Sequence, residues 1–402
     1  MTTAQLGEIA SIVRGIAFPK EEKRAEPLPG HVACLRTTNV QRTVEWEDLW
    51  FVPEKHVKRD EQLVRSGDIL ISTANSYELV GKVAPVVGIP HKATLGAFIS
   101  LIRPNERVEP KFLYYQLAWG KTQSRIRETA STTTNISNVS TKKLLTLEMF
   151  TPPLEAQREI VSELEKQFSR LDEAVANLQR VKANLKRYKA SVLSEFFDSK
   201  VSGWRKCQLK TVCQVISGFA FKSTDFSRDG VPVVKIANIG YGEFHWKDQE
   251  YLPSSFLESQ RAFAIQPCDL LMALTRPITN GTLKVCLYPH DAPVALLNQR
   301  VAVLRVGVDL GREFLLLMMQ SAAFKNQLQD ALSETLQPNL SPVDLKNFEI
   351  SIPSGPEQAR IVAEVDRHLS IIREVEAEVD ANLQRAQALR QSTLSSAFSP
   401  KP

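Results

Sequence analysis

Apolar residues recur at helical spacing through two long stretches of this chain. In the first, Val161, Leu164, Phe168, Leu171, Val175 and Leu178 are spaced 3, 4, 3, 4, 3, and Leu185, Tyr188, Val192 and Phe196 carry the stripe on. That alternation is a coiled-coil seam. In the second, Ile361, Val365, Leu369, Ile372, Val375, Val379, Leu383, Ala386 and Leu389 form a similar stripe, with charged and polar residues on the other faces. Neither stripe is interrupted by proline or glycine, so each predicts one unbroken helix. Pro152-Pro153 opens the first, Ser354-Gly355-Pro356-Glu357 offers a Ser-x-x-Glu capping box to the second, and Gly203 is placed to stop the first. A helix of roughly 43 residues is about 65 Å long, too long to hide in one small domain. The two are expected to pack on each other, antiparallel if a two-fold axis relates the halves of the chain. The pattern alone fits a plain coiled-coil or dimerisation stalk equally well.

The halves are related. Pro152, Gln157, Ile160, Val161, Glu163, Ser169 and Glu173 recur 201 residues later as Pro353, Gln358, Ile361, Val362, Glu364, Ser370 and Glu374. The register then survives the whole helix, with Ser191, Leu193, Ser194, Phe197 and Lys200 returning as Ser392, Leu394, Ser395, Phe398 and Lys401. Ahead of each helix the matches weaken but persist. Leu6 to Phe18 pairs with Leu209 to Phe221, setting Gly15 against Gly218, and Leu35 to Val40 follows the form of Val234 to Ile239. Gly67-Asp68-Ile69-Leu70 answers Cys268-Asp269-Leu270-Leu271, and Asn138-Val139-Ser140 answers Asn339-Leu340-Ser341. An internal repeat of this length sets the architecture before any local element does.

Short strand-like runs fill the segments before the helices: Val32 to Leu35, Asp68 to Ser72, Phe98 to Ile102, Val231 to Ile236, Asp269 to Ala273 and Arg300 to Val306. Clusters of Pro, Gly, Asn and Ser separate them, and helical stretches follow near Lys111 to Arg127 and Arg312 to Leu332. The fold class is therefore mixed α/β: two similar globular domains of about 150 residues, each large enough for its own core, and two long antiparallel coiled-coil helices in a pseudo-two-fold repeat.

Composition refines this only slightly. The 402 residues are 43% hydrophobic and 24% charged, ordinary for soluble globular domains and inconsistent with disorder. The longest apolar run, near Phe314 to Met319, falls far short of the ~20 residues that span a bilayer, and Met1 to Ala10 has no secretory pattern. Cys34, Cys207, Cys213, Cys268 and Cys286 form neither a CxxC nor an even disulfide set, which suits reduced thiols in the cytoplasm. The net charge of +5 divides as about +4 over residues 1–151, +1 over 152–200, +1 over 201–352 and −1 over 353–402. This permits nucleic-acid binding without arguing for it.

Catalytic chemistry is missing from the motifs. No GxGxxG follows a strand, and GxxxxGK[ST], HExxH and GxSxG are absent. Thr151-Pro152-Pro153-Leu154 resembles the Asp/Asn-Pro-Pro-aromatic motif of amino-methyltransferases only superficially, because Thr and Leu supply neither the amine acceptor nor the stacking ring. His290-Asp291 reads as a surface pair rather than a dyad. A self-contained methyltransferase or nuclease would need a cofactor or metal motif, and none is visible. Loops of the globular segments do carry groups suited to base edges and phosphates: Arg36, Thr38 and Asn39, matched by Lys235 and Asn238; Asn75 and Tyr77, in the same region as Thr275 and Arg276; and Arg300. Alternatively, Asn39 and Asn238 cap turns, Arg36 and Lys235 are solvated, and Arg300 closes a strand-end salt bridge. Asn138 and Asn339 read as turns.

The helix openings, Pro-Pro-Leu-Glu-Ala-Gln-Arg-Glu-Ile-Val from 152 and Pro-Ser-Gly-Pro-Glu-Gln-Ala-Arg-Ile-Val from 353, together with Gly203-Trp204 after the first helix, resemble the DNA specificity subunits of type I restriction-modification systems. The likeness covers essentially the whole chain. Its one departure is Ala156, where glutamate is customary; Glu357 keeps the usual form. The resemblance implies target recognition domains at 1–151 and 201–352, and spacer helices at 152–200 and 353–402. It implies a bipartite, asymmetric duplex DNA target with one half read by each domain, and a helix pair that acts as a ruler for the unread spacer. It further implies two modification subunits that bind S-adenosylmethionine and methylate adenine, and optional restriction subunits that bind ATP and Mg2+. This chain would then be non-catalytic, with no cofactor, metal or membrane partner of its own. A specificity chain serving a fused nuclease-methyltransferase, or a scaffold that binds no DNA, remains the alternative.

Overall fold

The computed structural model describes residues 2–133, 135–197, 203–334 and 337–399. The chain folds as two compact units, Met1–Leu178 with Ala381–Pro402, and Gln179–Asp380. Each unit therefore holds one globular segment and part of both long helices, Leu154–Phe197 and Gly355–Phe398.

In unit 1, a four-stranded antiparallel sheet runs in the order Ala10–Arg14, Ile99–Pro104, Ile69–Ser72, Val83–Pro85. A three-stranded sheet sets His31–Leu35 between antiparallel Trp50–Pro53 and parallel Ala93–Leu95. Unit 2 repeats the plan with Cys213–Ser217, Val301–Val306, Leu270–Ala273 and Val285–Leu287 in one sheet. Its second sheet has four strands, in the order Glu250–Leu252, Val231–Val234, Ala295–Leu297, Ala264–Ile265. The central strands read as continuous apolar runs because both faces are covered: Ile69–Ser72 and Leu270–Ala273 are buried at every position.

The first sheet of each unit carries an ion pair at the matching place. Asp68, 2% exposed, accepts from Arg103 Nε and Nη2, both at 2.7 Å. Asp269 accepts from Arg305 Nε at 2.9 Å and Nη2 at 2.5 Å. Gly15 and Gly218 recur for a steric reason, since an added Cβ would fall 2.1 Å from the Gly96 carbonyl oxygen and 2.2 Å from that of Asn298. Burial pushes the Cys34, Cys213 and Cys286 thiols up to about 12, so these are inert core residues.

The helices are held to the globular parts by one buried glutamine in each unit. Gln157, fully buried, accepts from the Glu109 amide at 2.8 Å and donates to the Pro152 carbonyl at 2.7 Å and the Arg107 carbonyl at 3.2 Å. Gln358 makes the same three bonds, accepting from Gly311 N–H at 2.8 Å and donating to Asp309 and Pro353 carbonyls at 2.9 and 3.0 Å. Apolar packing completes the joint. In unit 1, Val161, Leu164 and Phe168 share a core with Phe112, Leu117, Leu394 and Phe398, and in unit 2 Val192 and Leu193 share one with Phe314, Ile361 and Val365.

Within each unit the two helices run antiparallel. Asp172 receives Arg390 at 2.7 Å in unit 1, and also pairs with Arg42 from the globular part. In unit 2, Lys182 meets Asp380 at 2.6 Å and the Tyr188 hydroxyl meets His368 Nδ1 at 2.8 Å. No described helix is long and apolar enough to cross a membrane.

Several local expectations need correction. Tyr188, Val375 and Leu389 are exposed although they continue the expected seam, while Ile372, Val379 and Ala386 of the same stripe are buried. The helical stretch near 111–127 is two helices, Pro110–Ala118 and Gly120–Glu128, parted at Trp119, whose backbone is extended. Its counterpart is likewise split into Arg312–Met319 and Ala322–Asp330, the second capped by the Ser321 hydroxyl. Glu357 closes no capping box, since its carboxylate pairs with Arg360 at 2.8 Å. The strand expected over Val231 to Ile236 ends at Val234, and Ile236–Asn238 is a 3-10 turn. Lys200 and Lys401 lie outside the described residues, as does the exit from the first helix ahead of Gly203.

Replacing Gln358 by Leu removes the partner of the Gly311 N–H and of the Asp309 and Pro353 carbonyls, at about 1–3 kcal/mol for each of these groups that is left unpaired away from water. Urea unfolding of Gln358→Leu should show at least ~2 kcal/mol of lost stability; a change within the ±0.5 kcal/mol typical of surface sites would show the joint to be dispensable.

Candidate nucleic-acid interface

At one end of the sheets, backbone hydrogen bonds fasten neighbouring loops into a single surface, in the same way in each unit. In unit 1, Gly96 N–H donates to Leu35 C=O at 2.9 Å, Thr73 and Ala74 N–H donate to Phe98 C=O at 2.9 and 3.1 Å, and Val139 N–H donates to Thr73 C=O at 2.9 Å. The corresponding bonds in unit 2 are Asn298 to Val234 at 3.0 Å, Leu274 to Arg300 at 2.9 Å and Leu340 to Leu274 at 2.8 Å. The bridge between Thr275 and Asn339 repeats the pairing of Ala74 with Asn138. One backbone frame thus carries two different sets of side chains.

The frame decides which sequence candidates are presented. Asn39 and Asn238 are each only 2% exposed. Asn39 Oδ1 accepts from Arg36 N–H at 2.8 Å, and its Nδ2 donates to the Glu45 and Glu47 carbonyls at 3.0 and 2.9 Å. Asn238 does the same with Lys235 N–H at 2.8 Å and the His245 and Lys247 carbonyls, both at 2.9 Å. Neither amide is available to a base in this conformation, which corrects their assignment as base readers. Arg36 is also committed: its guanidinium lies 4.3 Å from the Trp50 ring centroid and pairs with Asp48 at 2.6 Å. Lys235 pairs with Glu250 and lies 4.8 Å over the Phe226 ring. The solvated alternative for these two cations is thus wrong as well.

Thr38 is exposed on the same loop. Asn75 is half-buried, bonded to Ser72 Oγ at 3.3 Å, while Tyr77 beyond it is 56% exposed. Thr275 and Arg300 come together in unit 2, lining a recess of about 370 Å³ with Gln299, Gln337 and Asn339. The Thr275 hydroxyl donates to Asn339 Oδ1 at 2.5 Å. Arg276 stands exposed beside it with φ 47°, a left-handed backbone uncommon outside glycine, its N–H bonded to Pro338 C=O at 2.8 Å. Arg300 is exposed, and among the described residues its guanidinium has no partner, so the salt bridge weighed for it is not formed.

Sequence reading took Asn339 as a turn and did not propose Gln299 and Gln337 in unit 2, or Phe98 and Ile136 in unit 1, all of which lie on this surface. Phe98 lies outside the strand expected to hold it: it precedes Ile99–Pro104 and is 62% exposed. The available signal was positional: Asn298-Gln299-Arg300 places three polar residues directly before a strand that opens with four apolar residues, Val301 to Leu304. Among the described residues no cluster of three or more His, Cys, Asp or Glu side chains is arranged to hold a metal ion.

The model of the type I restriction modification DNA specificity domain matches this chain twice, at residues 1–186 and 201–384. The chain belongs to the type I DNA specificity family. Among its relatives, the specificity subunit of the type I restriction enzyme MjaVIII from Methanocaldococcus jannaschii is 25% identical, with 93% of this chain aligned to 89% of that protein. The EcoKI specificity subunit of Escherichia coli is 24% identical, over 98% of this chain and 88% of its own length. A solved chain from work on complex assembly and conformational transition of a type I restriction-modification system superposes with a TM-score of 0.74 at 20% identity. It covers 99% of this chain and 97% of its own, and supports the family's two-domain, two-helix fold.

The buried asparagines give a direct check on this part of the site. Asn39→Ala should accelerate amide exchange across residues 36–48 by roughly ten-fold or more, the equivalent of about 1–3 kcal/mol for orphaned backbone groups. Thr38→Ala should leave exchange unchanged; equal rates in the two variants would contradict the structural role given to Asn39.

Proposed function

We propose that this chain is the non-catalytic DNA-reading subunit of a type I restriction-modification complex. Each unit reads one half of a split, asymmetric target through its loop surface, and the helix pair fixes the length of the unread spacer. Two modification subunits dock against the chain, bind S-adenosylmethionine and methylate adenine; restriction subunits, where present, bring ATP and Mg2+. The observation that carries the reading is one backbone frame, present twice, with different side chains on each copy. A symmetric scaffold has no use for that divergence, whereas a reader of two unlike half-sites requires it. Half-sites about one DNA turn apart, ~34 Å, are within reach of domains set on helices of this length. The modest net charge of +5 is compatible with partner subunits that contribute much of the phosphate-binding surface.

Two experiments test this. Exchange of residues 1–151 for the matching segment of another family member should change one half of the methylated target and leave the other intact; a change in both halves would refute modular reading. Matched four-residue insertions after Gln179 and after Asp380 should lengthen the rod by ~6 Å. The spacer should then grow by about two base pairs, at 3.4 Å per pair, with both half-sites retained. An unchanged spacer would refute the ruler.

A further inference from the structure

The two copies of the frame differ in chemistry at matching positions. Where unit 2 has Arg300, unit 1 has Phe98; both carbonyls accept the same frame bond, from Leu274 N–H at 2.9 Å and from Thr73 N–H at 2.9 Å. Where unit 2 has Gln299 and Gln337, unit 1 has Ala97 and Ile136. Phe98 is 62% exposed, Ile136 49% and nearby Tyr77 56%, so unit 1 presents an apolar face where unit 2 presents hydrogen-bonding groups. Exposed Phe and Ile at the tip of a loop surface have no use in the fold itself: neither belongs to a buried core of the unit.

We infer that the units read different base chemistry in the major groove. Unit 1 recognises a thymine through apolar contact of Phe98 and Ile136 with the 5-methyl group, and unit 2 recognises a guanine through the Arg300 guanidinium on O6 and N7. This rests on the DNA-reading proposal above and deepens it. An apolar side chain has nothing to offer a base edge in the major groove except the thymine methyl, while guanine is the base that presents two adjacent acceptors to a guanidinium fork. The remaining groups fit that division. Asn339 is engaged by Thr275 and by the Gln337 carbonyl, to which its Nδ2 donates at 2.8 Å. Among the described residues the Gln299 side chain has no partner, so it stands beside Arg300 as a second polar reader.

The test uses the complex of this chain with its modification subunits and a pool of randomised duplexes, from which the bound split sequence is selected. Each thymine of that sequence is then replaced by deoxyuridine, which removes only the methyl, and each guanine by 7-deazaguanine, which removes only N7. The inference predicts that deoxyuridine weakens binding on the order of five- to ten-fold at a position in the unit 1 half-site, and that Phe98→Ala binds both duplexes equally. It predicts that 7-deazaguanine weakens binding on the order of ten-fold or more in the unit 2 half-site, and that Arg300→Ala abolishes the difference. Both side chains are exposed, so both variants should melt with the parent chain. A deoxyuridine effect that survives Phe98→Ala, or no deoxyuridine effect in the unit 1 half-site, overturns the thymine assignment. A 7-deazaguanine effect that survives Arg300→Ala, or none in the unit 2 half-site, overturns the guanine assignment. Failure to enrich any split sequence overturns the DNA-reading proposal together with the inference.

Discussion

A buried glutamine amide at the start of each long helix is the constraint on which the rest of this structure depends. Gln157 and Gln358 each satisfy one N–H and two carbonyls, joining the first helical turn to the segment ahead of Phe112 in one unit and Phe314 in the other. A primary amide has the one acceptor and two donors this junction needs, and no apolar residue can replace it without leaving backbone groups unpaired. Helix direction relative to the sheets is thereby fixed within each unit. A spacing device built from helices requires that fixed direction, because any swivel at the joint would blur the distance it sets.

The same economy operates at the loop surface. Buried asparagines, one Asp–Arg pair in each unit and a glycine that only just clears a neighbouring carbonyl hold the backbone frame. These groups are shared by the two units because they bond the main chain. Among the described residues the Phe98 and Arg300 side chains bond nothing in the frame, so either can occupy the position without disturbing the fold. Separation of holding groups from presented groups lets a single architecture serve unlike targets. It also explains why types suited to DNA are poor guides to position: Asn39, Asn238, Arg36 and Lys235 have the right chemistry for base or phosphate contact, yet they spend it within the chain.

Much of the architecture was legible in the sequence. The 201-residue offset and the apolar stripes carry long-range regularity, and regularity survives local noise. Val161, Phe168, Val192, Ile361 and Val365 are buried as the stripe implies. What escaped was decided by tertiary packing. Trp119 and Ser321 divide helices whose composition reads as continuous, and Tyr188, Val375 and Leu389 are left exposed on the expected seam. At the site, whether an amide faces a carbonyl or solvent depends on loops closing over it, which residue type does not encode. Thr275 and Arg300, both proposed from residue type, line one recess; Phe98 and Ile136 were not considered because an exposed apolar residue looks, in one dimension, like core.

The proposed role of this chain is to direct methylation to one split DNA sequence. The most direct measurement is a single-molecule map of N6-methyladenine across the host genome, with the gene intact and with it deleted. A single bipartite motif, two unlike half-sites around a spacer of fixed length, should lose its methylation on deletion. If the partner subunits are expressed and no motif changes, or if the motif lost is continuous or has a variable spacer, the chain does not read DNA in this way.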